Sequence, residues 1–67
     1  MDHSIEELKE AKRQIDSTLR KLYEVVKTFE SKEDPSKYKS QITLAKRRIT
    51  AFEIAAELID KELKSGQ

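Results

Sequence analysis

Apolar residues recur at alternating spacings of three and four through two long segments of this chain. In residues 5–29 the series is Ile5, Leu8, Lys12, Ile15, Leu19, Leu22, Val26 and Phe29, with one polar member. In residues 38–63 it is Tyr38, Ile42, Ala45, Ile49, Phe52, Ala56, Ile59 and Leu63. Only 36% of the 67 residues are hydrophobic, so the regularity is not a by-product of composition. These sixteen positions, called the seam below, predict two amphipathic helices packed as a coiled-coil-like, all-α hairpin.

The expected helix ends carry capping residues. Ser4 is followed three residues later by Glu7, the spacing of a capping box. Asp34 is a favourable N-cap residue, and Pro35 suits the first position of a helix. Gly66 stands where a helix commonly terminates. We therefore predict one domain over residues 1–67, with helix 1 at about 4–31, a turn at 32–34 and helix 2 at about 35–64.

A connection this short makes the two helices antiparallel neighbours. The facing pairs expected along the seam, to within one layer, are Phe29 with Tyr38, Leu22 with Ala45, Ile15 with Phe52, and Leu8 with Ile59. Lys12 is then expected near Ala56, either as a tolerated edge position or as a polar residue that sets the register.

Helix 2 carries a second apolar stripe that one partner helix cannot cover. Its expected members are Leu44, Arg47, Ala51, Ile54, Ala55 and Leu58. A helix that is apolar around most of its circumference is normally buried around most of it. A chain of 67 residues also has little core of its own. We therefore expect this stripe to be the interface of a homodimer in which two hairpins form a four-helix bundle.

The charge distribution favours a head-to-tail dimer. Residues 17–48, the loop half, hold nine Lys and Arg against four Asp and Glu, a net of +5. Residues 1–16 and 49–67, the termini half, hold five against nine, a net of −4. A head-to-tail arrangement sets these halves against each other, although exposed charges bias orientation only modestly.

Composition and motifs argue against an enzyme. There is no cysteine and only one histidine, His3, so we expect no catalytic triad, metal centre or cofactor. Ser40-Gln41 resembles the start of the Ser-Gln-Glu-Leu-Asp motif of two-helix phosphatases that act on response-regulator aspartyl phosphates. Here Ile42, Thr43 and Leu44 follow, so the acidic residues of that motif are missing.

The remaining alternative is nucleic-acid binding, with the dimeric helical hairpins of plasmid-borne RNA-binding regulators as an architectural parallel. The candidate contacts are Lys37, Lys39, Lys46, Arg47 and Arg48. The whole-chain net charge is only +1, which gives little electrostatic attraction to nucleic acid. We expect a non-enzymatic protein-binding or regulatory module, with an unidentified protein partner in addition to its own copy.

Features of membrane and secreted chains are not expected. No uninterrupted apolar run exceeds three residues, and the first residues lack the basic and apolar regions of a signal peptide. We therefore expect a cytoplasmic protein with no membrane association.

Overall fold

The computed structural model describes residues 3–65, and within that range all regular structure is helical. Helix α1 spans Ile5–Glu30, a short 3-10 turn spans Pro35–Tyr38, and helix α2 spans Lys39–Ser65. The two α-helices pack against each other as a hairpin measuring 49 × 15 × 15 Å. The predicted all-α helical hairpin is confirmed. No helix in the described range is long and apolar enough to cross a bilayer.

Helix α1 begins with the predicted capping box. The backbone N–H of Glu7 donates to Ser4 Oγ at 3.1 Å, and the backbone N–H of Ser4 donates to Glu7 Oε1 at 3.0 Å. These bonds satisfy two of the four N–H groups that a helix start leaves without an intrahelical acceptor. The backbone and side-chain hydrogen bonds from Ser4 lower the pKa of the Glu7 carboxyl below its ordinary value of 4.5.

The start of the second helical segment differs from the prediction. Residues 35–38 form a 3-10 turn in place of the first α-helical turn, and the α-helix starts at Lys39. The Asp34 carboxylate makes no capping bond to the backbone; it accepts from Ser36 Oγ at 2.5 Å. A hydroxyl two residues along competes with backbone N–H groups for a short acidic side chain, which explains the missing cap. Gly66, the predicted terminator, lies outside the described residues.

The core is one side chain deep. Its buried members are Leu19, Val26, Ala45 and Ile49, and its partly buried neighbours are Ile15, Leu22, Ile42 and Phe52. All eight belong to the seam, and every seam residue except Ile5 is buried or half-buried. Among the described residues, no side chain is less than 2% exposed. A two-helix hairpin has only one internal face, so a deeper interior requires another layer of structure.

The loop end of the hairpin has the predicted pairing. The rings of Phe29 and Tyr38 stack with centroids 4.9 Å apart and an interplanar angle of 29°. Such aromatic pairs contribute roughly 0.5–1.5 kcal/mol beyond the area they bury. The stack joins the last turn of α1 to the 3-10 turn and so sets the register from which the two helices run antiparallel.

Candidate functional site

The second apolar stripe of α2 lies on the surface of the hairpin. At 100° per residue, its centre is roughly 140° around the helix from the seam. Leu44, Ile54 and Leu58 are 49%, 54% and 59% exposed, and they are the three most exposed large hydrophobic residues in the described range. Arg47 and Ala51 are also exposed, and Ala55 is half-buried. These six residues are called the outer stripe below.

The amino-terminal end of the outer stripe borders a shallow surface depression. Leu44 and Arg47 line it together with Lys39, Ser40 and Thr43. The depression therefore combines one apolar side chain with two cationic ones and two hydroxyl groups.

The two sides of the hairpin differ in chemistry, a difference that was not predicted from the sequence. On the polar flank, three contacts join α1 to α2: Lys12 Nζ lies 3.2 Å from Asp60 Oδ1, the Tyr23 hydroxyl donates to Glu53 Oε2, and Lys46 Nζ lies 3.2 Å from Glu30 Oε2. The α2 members of these contacts, Lys46, Glu53 and Asp60, are seven residues apart, and each directly follows a seam residue in the sequence. Coiled coils form interhelical ion pairs at this flanking position, so the seven-residue spacing of these residues could have predicted the contacts.

The Lys12 ammonium lies between two carboxylates. It is 3.2 Å from Asp60 on α2 and 3.6 Å from Asp16 on its own helix, with a side chain that is 30% exposed. The hydrogen bond to Asp60, followed by the charges of Asp16 and Asp60, raises the pKa of Lys12 above its ordinary value. Asp16 thus pairs with Lys12 across one turn, on the side of α1 that faces α2.

Small and apolar residues occupy the opposite side of the hairpin. Ala11, Thr18 and Ala55 are half-buried there, and Val25 is exposed. This small-residue flank carries no ion pair or side-chain hydrogen bond between the helices of the described chain. Because Ala55 also belongs to the outer stripe, it links the seam to the outer stripe, between Arg48 and Glu62, which stand seven residues to either side of it.

The candidate nucleic-acid residues do not share one face. Lys46 is paired with Glu30, and Arg47 and Arg48 follow it at successive rotations of about 100°. Lys39 and Arg47 line the same depression, whereas Lys37 borders a second one beside Glu33 and Asp34. Tyr38 is stacked on Phe29, so its ring is not presented as a platform for a base.

The phosphatase-like dipeptide Ser40-Gln41 lies in the first turn of α2 and is exposed. The chain has no carboxylate between Asp34 and Glu53, so the acidic part of that motif has no substitute nearby in sequence. In the range 3–65, no three His, Asp or Glu side chains come together as ligands for a metal ion.

No protein-family model, curated protein or solved structure significantly matches the chain.

Proposed function

We propose that this chain is a non-enzymatic association module that forms a homodimer through its outer stripe, giving a four-helix bundle. In this proposal the bundle presents the remaining helix faces to a protein partner, as a binding or regulatory module. The proposed setting is the cytoplasm, a reducing compartment to which a chain without cysteine is suited.

The observation that carries the proposal is the exposure of Leu44, Ile54 and Leu58 on one face of α2. A contiguous apolar patch of this kind is typical of an interface, because its burial removes apolar area from water at about 25 cal/mol per Å². The thin core supports the same conclusion. A hairpin whose core includes only four buried hydrophobic side chains gains most from a second layer.

The small-residue flank supports a bundle over a simple pair of touching helices. Its alanines allow close approach of a neighbouring helix, and its surface is continuous with the outer stripe. The polar flank is unsuited to the same role, because burying its ion pairs would carry a desolvation cost. A partner hairpin that covers the outer stripe and the small-residue flank would leave the polar flank in water.

Nucleic-acid binding through the basic residues remains the second proposal and has weaker support. Lys46 is already paired, and Arg47 and Arg48 point in different directions. If phosphate contacts did dominate, affinity for RNA or DNA would fall steeply between low and moderate salt. A salt-independent absence of binding would leave the association module as the surviving proposal.

Sedimentation equilibrium across a range of protein concentrations tests the dimer. We expect the wild-type chain to have the mass of a dimer, and Leu58→Glu to be a monomer with a folded helical spectrum, because a buried unpaired carboxylate is costly in an interface. On a lone hairpin, the same surface change would alter stability by only about 0.5 kcal/mol.

The matched control is Ser17→Glu, which adds the same charge on the face of α1 opposite its seam. Ser17 is exposed. We expect this variant to remain a dimer. A wild-type protein that stays monomeric at high micromolar concentration would refute the proposal.

A further inference from the structure

The outer stripe is symmetric about its central residue. Ala51 lies at its midpoint, and Leu44 and Leu58 stand seven residues to either side. In a two-fold symmetric contact, residue i faces residue j and residue j faces residue i. Two copies of α2 crossing antiparallel at Ala51 therefore place each Leu44 opposite Leu58 of the partner subunit, with small side chains at the point of closest approach.

The charge distribution along α2 has the matching symmetry. Within α2, residues 39–48, the basic segment, contain four Lys and Arg and no Asp or Glu, whereas residues 53–62, the acidic segment, contain four Asp and Glu and one Lys. The centre of each segment lies about the same distance from Ala51, on opposite sides. In an antiparallel pair of α2 helices, the basic segment of each helix lies beside the acidic segment of the other. In a parallel pair, segments of like charge lie side by side.

The intrinsic preferences of a helix do not account for this distribution. The helix dipole favours acids near the amino end and bases near the carboxyl end. Helix α1 follows that rule, with Glu6 and Glu7 in its first turn and Lys27 in its last. Helix α2 has Lys64 in its last turn, but it has no acid in its first turn and concentrates its bases in its amino-terminal half. A partner with the reverse polarity explains the arrangement.

Within the acidic segment, two carboxylates remain available for a partner. Glu53 accepts a hydrogen bond from Tyr23, and Asp60 pairs with Lys12, so both are engaged inside the hairpin. Glu57 is 68% exposed and pairs only with Lys61 on the same helix. Glu62 is exposed and has no ion pair within 4.0 Å in the described chain.

We propose that the occupant of the outer stripe is α2 of a second copy of this chain, crossing antiparallel with Ala51 on the two-fold axis. In this register Leu44 packs on Leu58 of the partner subunit, and Arg47 lies two residues, about 3 Å along the helix axis, from the position that faces Glu57 of the partner subunit. The inference rests on the proposed homodimer and adds its register and orientation. Corresponding leucines of the two subunits are then about 21 Å apart along the helix axis.

Disulfide formation by single introduced cysteines tests this register, because the natural chain contains no cysteine. Under mild oxidation, Ala51→Cys alone is expected to yield a cross-linked dimer. Leu44→Cys alone and Leu58→Cys alone are expected to remain uncross-linked, since a disulfide needs Cα atoms about 4.4–6.8 Å apart. An equimolar mixture of those two variants is expected to give a cross-linked heterodimer. Ser17→Cys, on the face of α1 opposite its seam, is the control that should not cross-link.

A charge exchange gives an independent readout. The variant Arg47→Glu is expected to dimerise at least tenfold more weakly than the wild type. The variant Glu57→Lys is expected to behave likewise, and mixing it with Arg47→Glu is expected to restore a heterodimer.

Each other outcome has a definite meaning. Self-cross-linking of both Leu44→Cys and Leu58→Cys would establish a parallel dimer and overturn the register while leaving the dimer intact. If the protein is a dimer by mass but Ala51→Cys does not cross-link, the proposed register is wrong. The interface then lies on another face, or something other than α2 of the second copy covers the outer stripe. A wild-type monomer at all concentrations would overturn this inference and the proposed function together.

Discussion

The ammonium of Lys12 on α1 lies 3.2 Å from the carboxylate of Asp60 on α2, so the one polar residue of the seam ties the two helices together. Asp16 and Asp60 occupy equivalent flanking positions on the two helices, and Lys12 is the cation between them. In the next two heptads, the equivalent flanking positions hold the pairs Tyr23 with Glu53 and Glu30 with Lys46. In the heptad of Lys12 they hold Asp16 and Asp60, two acids that would face each other without a cation if Lys12 were absent.

Lys12→Glu should lower the stability of the hairpin, because it places a third carboxylate beside Asp16 and Asp60. The loss should shrink with added salt, as the screening length falls from about 30 Å at 0.01 M to about 3 Å at 1 M. Urea denaturation at low and high salt measures both effects. Lys21→Glu, an exposed change of the same charge on α1, is the control and should have a smaller effect at low salt.

Phe52→Ala should destabilise the hairpin by about 3 kcal/mol, the lower end of the range for aromatic truncation in a core, because the ring is half-buried. The expected reason is a cavity beside Ala45 and Ile49, the buried residues of the same helix. Equilibrium denaturation gives the value. Val25→Ala, at an exposed position, should change stability by about 0.5 kcal/mol or less, and equal losses in both variants would contradict the assigned core.

The Tyr23 hydroxyl should ionise above its ordinary pKa of 10.0, because the hydrogen bond to Glu53 and the charge of that carboxylate oppose formation of the phenolate. The pKa is raised on folding, so this bond stabilises the protein below about pH 10 and its contribution is lost as the pH rises through the folded pKa. Ultraviolet titration in a Tyr38→Phe background isolates the Tyr23 signal. Adding Glu53→Gln should bring the pKa back down; an unchanged titration would show that the contact is not made in solution.

The capping box should stabilise helix α1 at neutral pH, and the contribution of Glu7 should be lost in acid. Ser4→Ala should cost about 1 kcal/mol, the usual value for losing an N-cap side chain. The pKa of Glu7 is lowered on folding, so its contribution is present above the ordinary value of 4.5 and is lost as the pH falls through the folded pKa. Denaturation midpoints between pH 7 and pH 3 should therefore converge for wild type and Glu7→Gln. A constant difference across that range would contradict the assignment.

The seam was predictable because periodicity reports which side of a helix is apolar, and a short loop leaves little choice of register. Phe29 and Tyr38 met as expected for that reason. The 3-10 turn at Pro35–Tyr38 was not predicted, because the competition between Ser36 and backbone N–H groups for the Asp34 carboxylate depends on local backbone angles. The contact of Tyr23 with Glu53 was missed because aromatic and acidic side chains are common on solvated faces, and only their heptad position distinguishes this pair.

The sequence predicts which residues belong to the outer stripe, but it does not show that they are exposed to solvent. Spacing places Leu44, Ile54 and Leu58 on one side of α2, and the structure adds that α1 does not cover them. Ala55, at the edge of the outer stripe nearest the seam, is half-buried, and apolar character alone does not determine that degree of burial.

The aromatic stack of Phe29 on Tyr38 also has a consequence for how the chain folds. These rings are nine residues apart in sequence, and the pairs nearer the termini are separated by progressively longer segments. The entropy lost on closing a flexible loop grows with its length, so the contact at the loop end is the least costly one to form first. Folding is therefore expected to start at this turn and proceed toward the termini, and the rate should be high because each new contact closes only a small additional loop. Opening follows the reverse order: backbone amides near Ile5 should exchange with solvent before those near Val26.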